Sequence, residues 1–239
     1  MKILAIIPAR GGSKGIPGKN IKLLGGKPLL QYTVESAKES ALLSRVILSS
    51  DDPEIIAVGK ELGLEVPFVR PAELAGEATS SLGVSKHTLE ELCSQGREYD
   101  AVCLLQPTPP FRSTGLIDKA IEKFRSGNYD SLISVREVPA EFNPHWTYEE
   151  LEGKLKIATG DEEIISRRQD LPKAYHRDGA VYITKTSVLL EQNSLYGKNI
   201  GYIDTTGSVY VNIDTEEDWK EAEKIVESGG MISGRDKLF

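Results

Sequence analysis

The sequence predicts an α/β fold built on a mainly parallel sheet. Short apolar runs rich in β-branched residues alternate with amphipathic stretches of helical period along most of the chain. Its 239 residues fit one large domain with room for an insertion. The residues suited to ligand chemistry fall just after the apolar runs, where strands of such sheets deliver their loops.

The elements follow in order. Lys2 to Ile7 is a buried strand, and Pro28 to Ser40 a helix with Pro28 near its first turn. Arg45 to Ser49 is a second strand. Asp52-Pro53-Glu54 starts a helix, Asp as cap and Pro at the first helical position, that ends near Gly63. Ser81 to Ser94 is a helix. Ala101 to Leu105 is a strand stopped by Pro107, Pro109 and Pro110. Gly115 to Arg125 is a helix and Ser131 to Val135 a strand. Ala180 to Thr184 and Gly201 to Ile203 are late strands, and Thr215-Glu216-Glu217 opens a last helix to about Ser228. Residues 137–178 break the alternation with Pro139, Pro144, His145, Trp146, a Gly153-Lys154 turn and the cluster Arg167-Arg168-Gln169-Asp170. So long a stretch reads as an excursion with a role: a lid, a flap or a dimerisation arm.

Composition excludes several classes. With 39% hydrophobic, 27% charged and 7% aromatic residues, the chain is neither disordered, coiled coil nor collagen-like. No apolar run is long enough to cross a bilayer as a helix, and the apolar opening is too short for a signal-peptide core. Cys93 and Cys103 cannot form a disulfide framework or a four-ligand zinc site; both read as buried thiols, and the compartment as the cytoplasm. The net charge of −7 argues against general nucleic-acid binding. Yet residues 1–34 hold Lys2, Arg10, Lys14, Lys19, Lys22 and Lys27 and no acid, so this segment carries +6 and the rest −13. A small basic zone on an acidic chain suggests a local anion site, or simply solvated lysines.

The run from Pro8 to Asn20, PARGGSKGIPGKN, decides between these. A strand enters a segment of four glycines and three cations. Glycines let backbone N–H groups point at phosphate oxygens, and Arg10, Lys14 and Lys19 can neutralise charge there. The pattern is not G-x-x-x-x-G-K-[ST], because Asn20 follows Lys19, nor G-x-G-x-x-G, because Ser13 takes a required glycine position.

The longer run IPARGGSKGIPGKNIKLLGGKPLL resembles the opening of the acylneuraminate cytidylyltransferases, the CMP-sialic acid synthetases. Five further segments resemble theirs in order: Ser49-Ser50-Asp51-Asp52; Arg70-Pro71-Ala72-Glu73-Leu74-Ala75 with Thr79-Ser80-Ser81; Leu104 to Arg112, LLQPTPPFR; Arg168-Gln169-Asp170-Leu171-Pro172 with Asp178 to Ile183; and Val211 to Thr215, VNIDT. CMP-Kdo synthetases share an opening of this type, but the segments from Arg70 and Arg168 fit the sialic group better.

The resemblance implies a Rossmann-like sheet of the nucleotidyltransferase type and a homodimer whose 137–178 arm reaches over the partner. It implies that CTP and a 2-keto-3-deoxy sugar acid give a CMP-sugar and pyrophosphate, assisted by Mg²⁺. By the same resemblance Arg10, Gly11, Ser13, Lys14, Lys19 and Asn20 hold the phosphates, with Arg10, Lys19 and Asp214 catalytic. Arg70, Ser80 and Ser81 meet the cytosine and ribose, although both serines could equally cap the helix that follows. Gln106, Arg168 and Tyr182 face the sugar acid, Arg168 at its carboxylate. His87, His145 and His176 have no partner spacing that supports a role.

Two departures stand out. Asn212-Ile213-Asp214 replaces an Asp-x-Asp metal motif; alternation keeps 212 and 214 on one side of an extended strand, and Asn ligates through its carbonyl oxygen with one negative charge fewer. Asp51 could add a ligand. Asp178 replaces an Asn before Gly179. A relative that uses another sugar or nucleotide, or a non-catalytic binder weakened at Asn212, are the alternatives. Retention of Lys19, Asn20 and Asp214 together argues against the binder. A glycosyltransferase would need a D-x-D after a central strand, where the chain has Gln106-Pro107-Thr108.

Overall fold

A computed structural model describes residues 1–76 and 79–229; the remainder of the predicted 1–239 domain span lies outside the described residues. The first strand, β1 (Ile3–Pro8), is apolar on both faces and wholly buried up to Pro8. A two-residue ribbon of β2 (Leu23–Leu24) and β3 (Lys27–Pro28) leads into α1 (Leu29–Glu39). Next come β4 (Arg45–Ser49), α2 (Pro53–Glu61), α3 (Ser81–Ser94), β5 (Ala101–Leu104), α4 (Leu116–Ser126) and β6 (Ser131–Glu137). A hairpin of β7 (Tyr148–Leu151) and β8 (Lys154–Ile157) precedes β9 (Tyr175–Lys185), α5 (Thr186–Glu191), β10 (Ile200–Asp204) and α6 (Glu216–Glu227).

Six strands form one sheet in the order β10-β6-β9-β5-β1-β4. Only β9 runs antiparallel, against both β5 and β6, so the sheet is mainly parallel as predicted. The parallel trio β5-β1-β4 delivers Gln106, Arg10 and Ser50 to one edge, and the site is built there.

The helix ends follow local chemistry. Asp52 accepts from the amides of Glu54 (2.8 Å) and Ile55 (3.1 Å), with Pro53 opening α2. Thr215 and Asp218 form a reciprocal capping box at the start of α6. In α4, Leu116, Ile117, Ala120, Ile121 and Phe124 make one buried stripe against the sheet. Residues 212–214, expected to be extended, make no ladder; instead the Ile213 amide donates to the Thr108 carbonyl (2.9 Å), which docks the segment beside the Pro-rich turn after β5.

The excursion is shorter than its predicted bounds. Glu137 still pairs with Tyr175, Arg136 with His176 and Val135 with Arg177, so both ends of 137–178 are central-sheet strand. What leaves the sheet is the stretch between, whose β7–β8 hairpin pairs only with itself. Its Phe142, Leu151, Leu155 and Ile164 are exposed.

One thiol departs from expectation. Cys103 is buried in β5, and burial pushes its pKa up to about 12. Cys93 is exposed: on α3, Leu89 and Leu92 take the inward positions, and Cys93 follows on the outer face.

Candidate active site

The loop after β1 is folded by its own apolar residue. Ile16 is buried and packs with Leu24, Leu29, Val211, Ile213 and Trp219. That anchor draws residues 13–19 against residues 211–214. The approach is close enough that a Cβ on Gly15 would lie 2.1 Å from the Asp214 carbonyl oxygen, so position 15 accepts only glycine. Lys19 then bridges the two segments: its Nζ donates to the Ile213 carbonyl at 2.7 Å and to Asp214 Oδ1 at 2.9 Å. Lys22 extends the seam, stacked 4.3 Å over Trp219 and paired with Glu216. Asn20 is buried, and its side-chain amide donates to the Arg10 carbonyl (3.1 Å), which fixes the loop across its own width.

A cleft of about 340 Å³ opens beside this loop. Of the residues expected at the phosphates, Arg10, Ser13, Lys14, Lys19 and Asn20 line it, and so do Arg70, Ser81, Gln106 and Asp214, expected at the base, the sugar acid and the metal. Gly11 does not: its amide donates to Asp51 Oδ1 at 3.1 Å. That contact holds the Asp51 carboxylate against the loop backbone.

A second cavity, of about 660 Å³, adjoins the first, and the two share Thr79, Ser81 and Gln106. Tyr182, Asn193, Tyr196, Tyr210 and Asn212 form much of its wall. Tyr182 is almost wholly buried, and burial raises its phenol to about 12, so at neutral pH it is a neutral donor. Gln106 stands between the two spaces. Gly179, at φ +81°, comes so close that a Cβ there would meet Gln106 Oε1 at 2.9 Å. Asn212 lines this cavity, and its Nδ2 donates to Asp214 Oδ2 at 2.6 Å, so residues 212 and 214 do face one side as alternation suggested.

Two arginines that line the first cleft differ in kind. Arg10 is partly exposed, with Nη1 donating to the Ala75 carbonyl at 3.4 Å. Arg70 is buried; its guanidinium donates to the Ser49 hydroxyl (3.1 Å) and the Ser49 carbonyl, and burial lowers its pKa. Arg70 therefore holds the end of β4 as well as lining the cleft. Ser80 caps α3 by accepting from the Gly83 amide (3.2 Å), the alternative role the sequence left open, while also lining the larger cavity. Ser81 borders both spaces.

Arg168 does not join the others. It lines a third cleft, of about 320 Å³, with Glu137, Asn143 and Lys173 at the base of the excursion. His87 packs edge-on against Phe68, and His145 pairs with Asp161 at 2.8 Å; neither lines the two joined spaces.

Sequence reasoning missed the buried support beneath Gln106. Arg112 is buried, and its guanidinium donates to the Ala180 carbonyl and the Thr33 hydroxyl (2.9 Å each) and to the Gln106 carbonyl. Burial lowers its pKa to about 10, and it stays protonated at neutral pH. Asp178 is buried beside it, accepting from Thr205 Oγ1 (2.5 Å), the Ala180 amide (2.9 Å) and the Ser134 hydroxyl. The signal for Arg112 was only its place at the end of the segment from Leu104 to Arg112, LLQPTPPFR.

The cytidylyltransferase family profile matches residues 4–228. The chain belongs to the cytidylyltransferase family. It is 37% identical over 218 residues to a pseudaminic acid cytidylyltransferase of Campylobacter jejuni, covering 91% of this chain and 93% of that one. It is 33% identical to a CMP-N,N'-diacetyllegionaminic acid synthase of Legionella pneumophila, covering 95% and 97%. Among solved structures, a CMP:2-keto-3-deoxy-manno-octonic acid synthetase complexed with CTP superposes with a TM-score of 0.72 over 96% of this chain and 100% of that one, at 17% identity. That likeness supports the fold class read from the sequence.

Proposed function

We propose that this cytidylyltransferase couples CTP to a nine-carbon 2-keto-3-deoxy sugar acid, giving a CMP-sugar and pyrophosphate. The observation that carries the reading is the joined cleft: a cationic glycine-rich cradle opening through Gln106 into a polar, tyrosine-walled cavity large enough for a sugar acid. The relatives named above act on acids of this class. In this reading Arg10, Ser13, Lys14 and Lys19 receive the triphosphate, which carries about four negative charges. The acceptor's anomeric hydroxyl oxygen attacks the α-phosphorus, the α–β bridging P–O bond breaks, pyrophosphate leaves and one proton is released. Lys19 meets the charge that grows on the transferring phosphoryl group and its leaving oxygen. Gln106 keeps the acceptor in register with the phosphate.

Asp214 and Asn212 fit a divalent cation. The two side chains stand side by side with the Asn212 Nδ2 turned to Asp214 Oδ2, so the Asn212 carbonyl oxygen would meet such an ion once the amide turns; the ion commonly takes one or two protein oxygens and completes its shell with phosphates and water. No group of three His, Cys, Asp or Glu side chains suited to a metal exists among the described residues, so the triphosphate would supply much of the remainder. When bound, Mg²⁺ supplies further neutralisation of the phosphates. Asn212→Asp is expected to lower the Mg²⁺ concentration for half-maximal rate; an unchanged titration would take position 212 out of the ligand set.

The excursion is read as a dimer contact, supported by its exposed apolar residues and by Arg168 lying away from its own chain's cleft. Deletion of residues 142–170 should then yield a monomer by light scattering. A deletion variant that stays dimeric contradicts it.

The deciding assay is pyrophosphate release with Mg²⁺, crossing CTP, UTP, GTP and ATP against N-acetylneuraminate, pseudaminate, N,N'-diacetyllegionaminate and Kdo. Release with CTP and a nine-carbon acid is the expected result. No release from any pair, on folded protein that still binds CTP, overturns the reading.

A further inference from the structure

A sugar acid entering the larger cavity brings a carboxylate, and Arg168 of the same chain is not there to meet it. Arg177 is. Among the described residues it is the one cationic side chain lining that cavity. Its position follows from an irregularity in the sheet. Between β6 and β9 the register shifts from Ile133↔Tyr182 to Val135↔Arg177, so residues 178–181 bulge opposite Ser134. The bulge turns Asp178 inward, where hydroxyls of Ser134 and Thr205 and the Ala180 amide occupy its carboxylate. It leaves Arg177 exposed on the cavity side.

The guanidinium is also aimed. Its Nη1 donates to the Tyr196 hydroxyl at 2.7 Å, and Tyr196 lines the same cavity. Among the described residues that hydroxyl is its one side-chain hydrogen-bond partner, and the remaining N–H donors of the planar fork suit a carboxylate. The neighbouring Asp178 does not neutralise it by direct pairing, because its oxygens are held by the sheet.

We propose that Arg177, steadied by Tyr196, binds the acceptor's carboxylate within its own chain and sets the preference for acidic over neutral sugars. This rests on the acceptor cavity assigned above. A bland alternative is that Arg177 only fixes Tyr196.

The test is a cycle between protein and ligand. Wild type, Arg177→Gln, Tyr196→Phe and Arg168→Gln are each given a nine-carbon sugar acid and its methyl ester, with CTP saturating. Loss of a charge-assisted contact should raise the KM for the acid roughly 10- to 100-fold in Arg177→Gln. The half-saturating CTP concentration should not move. Wild type should discriminate against the ester, and Arg177→Gln should lose that discrimination, while Tyr196→Phe keeps most of it. An acid-to-ester ratio unchanged in Arg177→Gln overturns the proposal, as does a ratio abolished by Arg168→Gln instead. If Tyr196→Phe matches Arg177→Gln in full, the role belongs to the tyrosine.

Calorimetric titration of the acid separates this proposal from the activity it rests on. Acid binding to wild type but not to Arg177→Gln, with no pyrophosphate release from any pair, would overturn the activity and leave the carboxylate site standing. Equal binding to both proteins would overturn Arg177 alone. Binding to neither would overturn both.

Discussion

The two halves of the cleft are built in opposite ways. The phosphate half comes from one contiguous run, residues 8–20, pinned from outside by Ile16 in an apolar cluster and by Lys19 across to residues 213–214. Its working side chains are cations at or near the surface. The acceptor half is assembled from β5, β9, residues 193–196 and residues 210–212, and rests on buried polar groups, Arg112 and Asp178. In the proposed reading the first half takes a ligand whose charge is large and generic, so charge density and backbone access suffice. The second must distinguish one polyol acid from another, which needs fixed donors and acceptors, and these are fixed by a satisfied buried network. Damage to the two halves should therefore read out differently, as lost turnover in one and lost stability in the other.

The largest effect expected is at Lys19. Lys19→Ala should lower kcat about a thousandfold, the scale for removing one preorganised donor to transition-state charge. The fold should persist, since the loop keeps its Ile16 anchor when the Lys19 bridge to residues 213–214 is lost. Comparison of kcat with the thermal unfolding midpoint checks both; near-normal turnover would remove Lys19 from the reaction. Arg112→Met should do the reverse. It leaves the Ala180 and Gln106 carbonyls and the Thr33 hydroxyl without their donor in a buried place. Each such orphan costs ~1–3 kcal/mol, so urea denaturation should show a loss of about 3 kcal/mol or more. A loss under about 1 kcal/mol would mean that water replaces the guanidinium and that the acceptor half is less rigid than its contacts imply.

The same contrast explains what was legible in the sequence. The strand and helix order, the Asp52 and Thr215 caps and the cationic loop depend on residues within a few positions of each other, and all are found where expected. The acceptor half depends on pairings across 68 or 79 positions, such as Arg112 with Ala180 and Thr33, which no local pattern signals. Arg70 was expected only at the cytosine and ribose, because its buried hold on Ser49, 21 positions away at the end of β4, has no local signal. The extended segment expected at 212–214 has its alternation but no ladder neighbour, which periodicity alone does not reveal. Arg177 went unremarked because its exposure depends on a bulge opposite Ser134.

The smallest effect expected lies at the seam between the halves. Asp218 is the reciprocal member of the α6 capping box, and its Oδ2 also accepts from the Asp214 amide at 2.9 Å. One carboxylate thus sets both the helix start and the backbone of the residue that Lys19 grips. Partial desolvation pushes its pKa up, but the amides of Asp214 and Thr215, the Thr215 hydroxyl and the Lys19 charge outweigh that and hold it below the usual carboxylate range. A carboxyl whose folded-state pKa is depressed stabilises the fold above its unfolded value, and that contribution is lost as pH falls through the folded-state value. Asp218→Ala should therefore cost about 1 kcal/mol at neutral pH, the scale of a helix cap, and the gap from wild type should narrow on acidification. Urea midpoints for both proteins at neutral and acidic pH check the sign. A gap that stays constant would mean the side chain acts by packing and not by charge. If kcat falls in this variant while the midpoint barely moves, Asp218 works chiefly by positioning Asp214, and the seam belongs with the phosphate half.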